Sequence, residues 1–196
     1  MREEFYKNLL KDCSGIYFEI GTCFGGFTEF LRLHTPASQI TTIDPYRKFT
    51  REEYCDALND MTQEQMDKKH KMVESRLLKF VPGLPTIYMW RMTSFKAAGL
   101  VPDNFAAFVY LDGNHHYNAV LCDLVRWWPK VKKGGFLCGD DVEEIKKEHD
   151  DEGNLFVTHQ PGSYGKYGVH QALIDFAKIC PEFRYEITGN QFVARK

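Results

Sequence analysis

Short apolar segments alternate with amphipathic helical segments along most of this chain, and this alternation constrains the fold more than any other feature. The apolar segments have the length and the β-branched or aromatic content of strands. Predicted strands lie at residues 16–20, 39–43, 86–90, 106–111, 136–138, 185–187 and 191–194. Predicted helices lie at residues 2–12, 27–33, 120–131 and 169–179. The pattern therefore predicts an α/β fold built on a doubly wound, mostly parallel sheet.

The size and composition fit a single domain, residues 1–196. With a formal net charge of −2, the chain lacks the positive field that binds nucleic acid. Its apolar runs are too short to span a membrane, and its N-terminus lacks the apolar core of a secretory signal. The six cysteines form no C-x-x-C pair, so free thiols are expected. We expect a cytoplasmic protein without nucleic-acid or membrane partners, and a homo-oligomer is compatible with the sequence.

Two segments interrupt the alternation of strands and helices. Residues 47–84 are mostly charged and helix-forming, which predicts a helical insertion. We interpret Lys68, Lys69 and Lys71 within it as a solvated helix face. Residues 146–168 are polar and contain several glycines, which is typical of a lid over a substrate and also of a plain surface loop.

The glycine turn after the first predicted strand is a candidate cofactor site, because glycine lets the backbone approach a ligand closely. Its candidate residues are Glu19, Gly21, Thr22, Gly25 and Thr28. A dinucleotide-binding fingerprint requires glycine where this chain has Cys23, so a cofactor without a pyrophosphate is favoured. Asp44 ends the second predicted strand, where nucleoside-binding sheets place an acid against ribose hydroxyls.

Acidic residues also end the fourth and fifth predicted strands. Asp112 follows one strand and Asp140 and Asp141 follow the other, so adjacent strands would bring the three carboxylates together. Their repulsion requires protonation or a cation, and oxygen ligands suit Mg²⁺, with Mn²⁺ or Ca²⁺ as alternatives. His115 lies three residues beyond Asp112 and is the candidate general base. The catalytic candidates are therefore His115 and Asp112, although the acids at 140 and 141 would also suit the start of a following helix.

These motifs together resemble class I S-adenosylmethionine-dependent methyltransferases. The string E-x-G-x-x-x-G-x-x-T at residues 19–28, followed by a strand that ends in Asp44, carries the resemblance over nearly the whole chain. It implies a Rossmann-like seven-stranded sheet with helices on both faces and an antiparallel C-terminal strand. It further implies that the Gly21 turn faces the methionine part, Asp44 holds the ribose, and Asp112 also contacts the cofactor.

The resemblance implies an adenine contact as well. The segment after the third strand, with Thr93 and Ser94, would border the adenine, and Thr93 stands where the family usually has an acid.

A narrower resemblance concerns the acidic strand ends. D-G-x-H-x-Y at residues 112–117 and G-G-x-x-x-x-D at 134–140 are similar to a small methyltransferase group related to macrolide-sugar and catechol-type metal-dependent O-methyltransferases. This resemblance implies that Asp112, Asp140 and Asp141 bind the metal ion, with Asp141 at a position where asparagine is usual.

The expected function is S-adenosylmethionine-dependent O-methylation, assisted by a divalent metal ion. The acceptor would be a hydroxyl of a sugar, a glycan or another small diol, since a vicinal diol offers two oxygens to a metal ion. Two alternatives remain open: a metal-independent methyltransferase on another small molecule, in which His115 acts alone, and a non-catalytic S-adenosylmethionine-binding module. RNA methylation is disfavoured by the net charge of −2.

Overall fold

The computed structural model describes residues 2–50, 53–54, 57–142, 147–149, 155–157 and 168–196. The described strands are β1 Gly15–Ile20, β2 Ala37–Ile43, β3 Thr86–Trp90, β4 Ala106–Leu111, β5 Val131–Gly139, β6 Lys147–His149, β7 Leu155–Val157, β8 Tyr185–Thr188 and β9 Gln191–Arg195. Seven of them form one sheet in the order β3-β2-β1-β4-β5-β9-β8. Strands β1 to β5 pair in parallel, and β9 runs antiparallel to both β5 and β8. The predicted seven-stranded, mostly parallel sheet is confirmed.

Helices cover both faces of this sheet. They are α1 Arg2–Leu9, α2 Gly26–His34, α3 Gln63–Leu77, α4 Ser94–Ala98, α5 Tyr117–Trp127 and α6 Val169–Ile179, with short 3-10 helices at Ala57–Asp60 and Trp128–Lys130. Among the described residues, no helix is long and apolar enough to cross a membrane.

Two apolar clusters lie on opposite faces of the sheet, because successive side chains of a strand point in opposite directions. In β1, Tyr17 packs with the cluster that contains α1, α2 and α3, and Phe18 packs with the cluster that contains α4, α5 and α6. All six residues of β4 are buried, as expected for a central parallel strand. The carboxyl ends of β1 to β4 therefore sit on a rigid core.

The boundary between α5 and β5 differs from the prediction, which extended a helix to residue 131 and began the strand at 136. The helix ends at Trp127, a 3-10 turn that contains Pro129 follows, and β5 begins at Val131. Proline has no N–H to continue the helix. Gly135 stays within the strand, and a Cβ there would lie 2.7 Å from the Ala107 carbonyl oxygen. The two glycines thus permit an irregular strand rather than ending it.

The predicted helical insertion and the predicted lid are described to different extents. Helix α3 lies within residues 47–84 and begins with a capping box at Thr62 and Gln65. The predicted lid at residues 146–168 falls largely outside the described residues. Within it, β6 Lys147–His149 and β7 Leu155–Val157 pair as a small antiparallel sheet.

Candidate active site

A cavity of about 270 Å³ lies at the carboxyl ends of β1 to β4. Doubly wound sheets bind ligands at this edge, where the strand order reverses between β1 and β4. Five of the residues predicted to bind the cofactor line this cavity: Gly21, Asp44, Thr93, Ser94 and Asp112.

The Gly21 turn touches the end of β4. Gly21 has φ +94°, and a Cβ at this position would lie 1.8 Å from the carbonyl oxygen of Asp112. The backbone N–H of Asp112 donates to the Ile20 carbonyl, at 2.8 Å. Only glycine fits this close approach. The contact places the turn and Asp112 on the same wall of the cavity.

The other four predicted cofactor residues support the turn and are not among the described lining residues. Glu19 is buried and accepts hydrogen bonds from the hydroxyls of Thr28 and Thr42. Burial raises the pKa of the Glu19 carboxyl to about 8, against the two hydroxyl donors that lower it. Thr22 hydrogen-bonds the Thr42 hydroxyl, and Gly25 precedes α2 with φ +71°. These hydrogen bonds stabilise the glycine turn on the side away from the cavity.

Asp44 is held by two backbone donors. Its Oδ2 accepts from the N–H of Cys23 at 3.0 Å, and its Oδ1 accepts from the N–H of Tyr46 at 2.8 Å. Cys23 and Tyr46 both have positive φ, 48° and 42°, which is strained for residues that carry a side chain. Burial raises the pKa of Asp44. Each carboxylate oxygen has a further lone pair for a diol.

His115 lies between two carboxylates beside this cavity. Its Nε2 is 3.5 Å from Asp112 Oδ1, and its Nδ1 is 3.3 Å from Asp141 Oδ2. One potential ligand atom from each of the three residues lies within 4.8 Å of the others. Asp141 has φ +57°, and burial together with Asp140 and Asp112 raises its pKa against the opposing effect of His115. The structure thus brings Asp112, His115 and Asp141 together.

Asp140 points toward the N-terminal helix instead. Its Oδ2 is 2.8 Å from Nη1 of Arg2, which also lies 3.6 Å from Asp112 Oδ2. Asp140 further accepts a hydrogen bond from the Gln191 side chain. It adjoins the three-residue group without belonging to it. The helix that the sequence allows from Val142 onward continues into residues outside the described part of the chain.

Comparison with known proteins decides the family. A family model described as a methyltransferase domain matches residues 18–142, from within β1 to just beyond the end of β5. The chain belongs to this methyltransferase family. The match includes both the glycine turn and the acidic strand ends, and it supports S-adenosylmethionine as the cofactor, as the sequence predicted. No curated protein sequence matches the chain significantly.

Solved structures share the methyltransferase fold. A Corynebacterium glutamicum protein matches with TM-score 0.63 and 11% identity, over 100% of this chain and 80% of that one. An S-adenosylmethionine-dependent methyltransferase from Aquifex aeolicus matches with TM-score 0.53 and 16% identity, over 98% and 86%. MycE methyltransferase of the mycinamycin biosynthetic pathway, in complex with Mg, S-adenosylhomocysteine and mycinamycin VI, matches with TM-score 0.55 and 14% identity, over 100% and 48%.

The cavity of this methyltransferase fits its cofactor. Gly21 lines the cavity, and the anchored carboxylate of Asp44 offers acceptors to a ribose diol. The lining has apolar surface for the base and the methionine chain, from Ile43, Phe95 and Ala119 among others.

Sequence reasoning missed Lys69 of α3. The interpretation of this lysine as part of a solvated face is wrong, since it is only 6% exposed and lines the cavity. Its Nζ lies 3.3 Å from Cys23 Sγ and 4.3 Å from the centre of the Phe24 ring. The spacing of Met66, Lys69 and Val73 places all three on one helix face, and that spacing was the available signal.

Proposed function

We propose that this methyltransferase transfers the methyl group to a hydroxyl oxygen of a small sugar or glycan diol, with a divalent metal ion at the acidic strand ends. The observation that carries the proposal is the cluster of Asp112, His115 and Asp141, which lies beside the cofactor cavity. The two carboxylates supply the oxygen ligands that Mg²⁺ or Mn²⁺ prefers, and the imidazole lies close enough to act on a hydroxyl bound there. Arg2 lies closer to Asp140, at 2.8 Å, than to Asp112, at 3.6 Å.

We assign the carboxylates of Asp112 and Asp141 to the ion and the imidazole of His115 to the proton. A divalent ion, when bound, lowers the pKa of a hydroxyl that it coordinates. The acceptor oxygen forms a bond to the methyl carbon while the carbon–sulfur bond breaks and its electron pair stays on sulfur. The hydroxyl proton passes to a ring nitrogen of His115. In-line positioning then supplies much of the remaining rate enhancement.

The choice of a sugar acceptor is supported by two observations. A vicinal diol presents two oxygens side by side, which suits chelation of a divalent ion held by carboxylates. MycE, whose structure contains Mg and mycinamycin VI, matches this chain over its whole length. Because MycE is only 14% identical, it supports the substrate class and no individual contact.

A second candidate function is metal-independent methyl transfer, and one observation favours it. The guanidinium of Arg2 lies 2.8 Å from Asp140 and 3.6 Å from Asp112, so this cation already offsets part of the negative charge. Here His115 would act as the base without an ion. This candidate predicts that exhaustive chelation leaves turnover unchanged and that Arg2→Ala lowers it.

The two candidates are separated by methyl-transfer assays on a panel of sugars, glycans and catechols, before and after chelation with EDTA. If a metal ion assists, turnover falls by roughly 100-fold after chelation and returns with Mg²⁺ or Mn²⁺. Asp141→Ala should weaken metal binding and lower turnover, whereas Asp103→Ala, at an exposed carboxylate paired with Lys130, should change neither. Full turnover in metal-free buffer would exclude the metal proposal.

A further inference from the structure

Asp123 of α5 is a buried carboxylate in the cavity wall to which sequence reasoning assigned no role. It is 8% exposed and lines the cavity together with Ala119 and Cys122, on the same face of the helix. The hydroxyl of Ser94 donates to its Oδ1 at 2.5 Å, and the indole N–H of Trp127 donates to that hydroxyl at 2.8 Å. Among the described residues, no hydrogen bond reaches Asp123 Oδ2.

The position of Asp123 along the cavity indicates which part of the cofactor it faces. The lining crosses the sheet edge from Asp112 at β4, past Gly21 and Asp44, to Thr93 at the end of β3. If Asp44 holds the ribose of S-adenosylmethionine and the methyl group lies near Asp112, the adenine base points toward the cavity wall that follows β3. Of the described lining residues that follow β3 or belong to α5, Asp123 alone carries a charge.

We propose that Asp123 Oδ2 accepts a hydrogen bond from the exocyclic amino group of adenine and selects an adenosyl cofactor against a 6-oxo purine. This inference rests on S-adenosylmethionine as the methyl donor. An ionised carboxylate only accepts hydrogen bonds, so it pairs with an amino group and repels a carbonyl oxygen at the same ring position. Ser94 acts as a positioning residue, because its hydroxyl fixes the plane of the carboxylate.

The electrostatics of Asp123 are consistent with this role. Burial raises the pKa of its carboxyl to about 6, against the hydrogen bond from Ser94 and the charge of Arg126, which lower it. At pH 7.5 the acceptor-only form therefore predominates. A buried carboxylate oxygen without a hydrogen-bond donor raises the free energy of the complex. A ligand that lacks the donor therefore binds more weakly.

The test is calorimetric titration at pH 7.5 with S-adenosylhomocysteine and with its 6-oxo analogue, S-inosylhomocysteine. The wild-type protein should bind the adenosyl ligand tighter by roughly 10- to 100-fold. In Asp123→Asn, the amide can keep the Ser94 contact and donate to the 6-oxo group, so the preference should fall toward unity or invert. Asp103→Asn, at an exposed carboxylate, should retain the wild-type ratio.

Two results would overturn the inference. Equal affinity of the wild-type protein for both ligands shows that no residue reads the 6-position, whatever the variants do. An unchanged ratio in a folded Asp123→Asn, checked by circular dichroism, shows that Asp123 only tethers Ser94. Failure of the wild-type protein to bind S-adenosylhomocysteine at all is a different outcome, because it removes the cofactor assignment itself.

Discussion

At the scale of single residues, His115 is the side chain on which the proposed chemistry depends most. Both ring nitrogens face carboxylates, Nε2 at 3.5 Å from Asp112 and Nδ1 at 3.3 Å from Asp141, and these contacts hold the imidazole in place. His116 follows directly in the sequence, but its backbone N–H donates to the side-chain oxygen of Asn114 and it is the N-cap residue of α5. The two adjacent histidines therefore occupy different environments.

We expect His115→Gln to lower kcat by roughly 10²- to 10⁴-fold, since the variant lacks the base that accepts the hydroxyl proton. Affinity for S-adenosylhomocysteine should stay within a factor of a few, because His115 does not line the cofactor cavity. Steady-state kinetics and calorimetry measure the two effects separately. His116→Gln is the matched control and should keep most of the activity. The reverse ranking of the two variants would assign the base to His116.

At the scale of elements, the site depends on the junction between the turn after β1 and the end of β4. We expect Gly21→Ala to lower affinity for S-adenosylhomocysteine at least tenfold and to destabilise the fold by about 2 kcal/mol or more. The new Cβ would overlap the Asp112 carbonyl oxygen, and φ is +94°. Calorimetry and urea denaturation measure both effects.

Gly83→Ala is the matched control for that variant. Gly83 has φ +79°, with no atom within 4 Å of the added Cβ, so it reports the backbone strain without the clash. Equal losses in the two variants would show that the close approach at Gly21 has no separate effect.

The elements also show how far the sequence predicts such a fold. Strands β3 and β4 and helix α6 lie where the pattern places them, because each combines a clear periodicity with a glycine or proline boundary. The end of α5 was misplaced, since the glycines before Phe136 are compatible with either a break or an irregular strand. Asp123 and Lys69 were missed because their roles depend on packing between helices and turns distant in sequence.

At the scale of the whole molecule, Glu19 makes stability depend on pH. Its pKa is raised to about 8 in the folded state from an ordinary value of 4.5, so between these values the folded protein holds a proton that the unfolded chain releases. The contribution of Glu19 to the free energy of unfolding is therefore fully present below about pH 4.5 and is lost as the pH rises toward 8. At about 1.4 kcal/mol for each pKa unit, this contribution is on the order of 5 kcal/mol.

We expect Glu19→Gln to remove most of this pH dependence. The amide keeps an oxygen for the hydroxyl of Thr42 and carries no charge, so the variant should gain stability relative to the wild-type protein at pH 8 and not at pH 5. Urea denaturation midpoints at the two pH values give the comparison. Parallel pH profiles for both proteins would mean that Glu19 ionises normally in the folded state.

Asp112 lines the cofactor cavity and is also a member of the cluster of Asp112, His115 and Asp141. Any ligand that changes the charge or position of this carboxylate therefore alters binding both in the cavity and at the group around His115. Affinity for the methyl donor and affinity for an ion or acceptor are therefore thermodynamically linked, and the linkage is reciprocal. The positive sulfonium is lost once the methyl group departs, so the spent cofactor and the intact one should differ in how strongly they favour the second ligand.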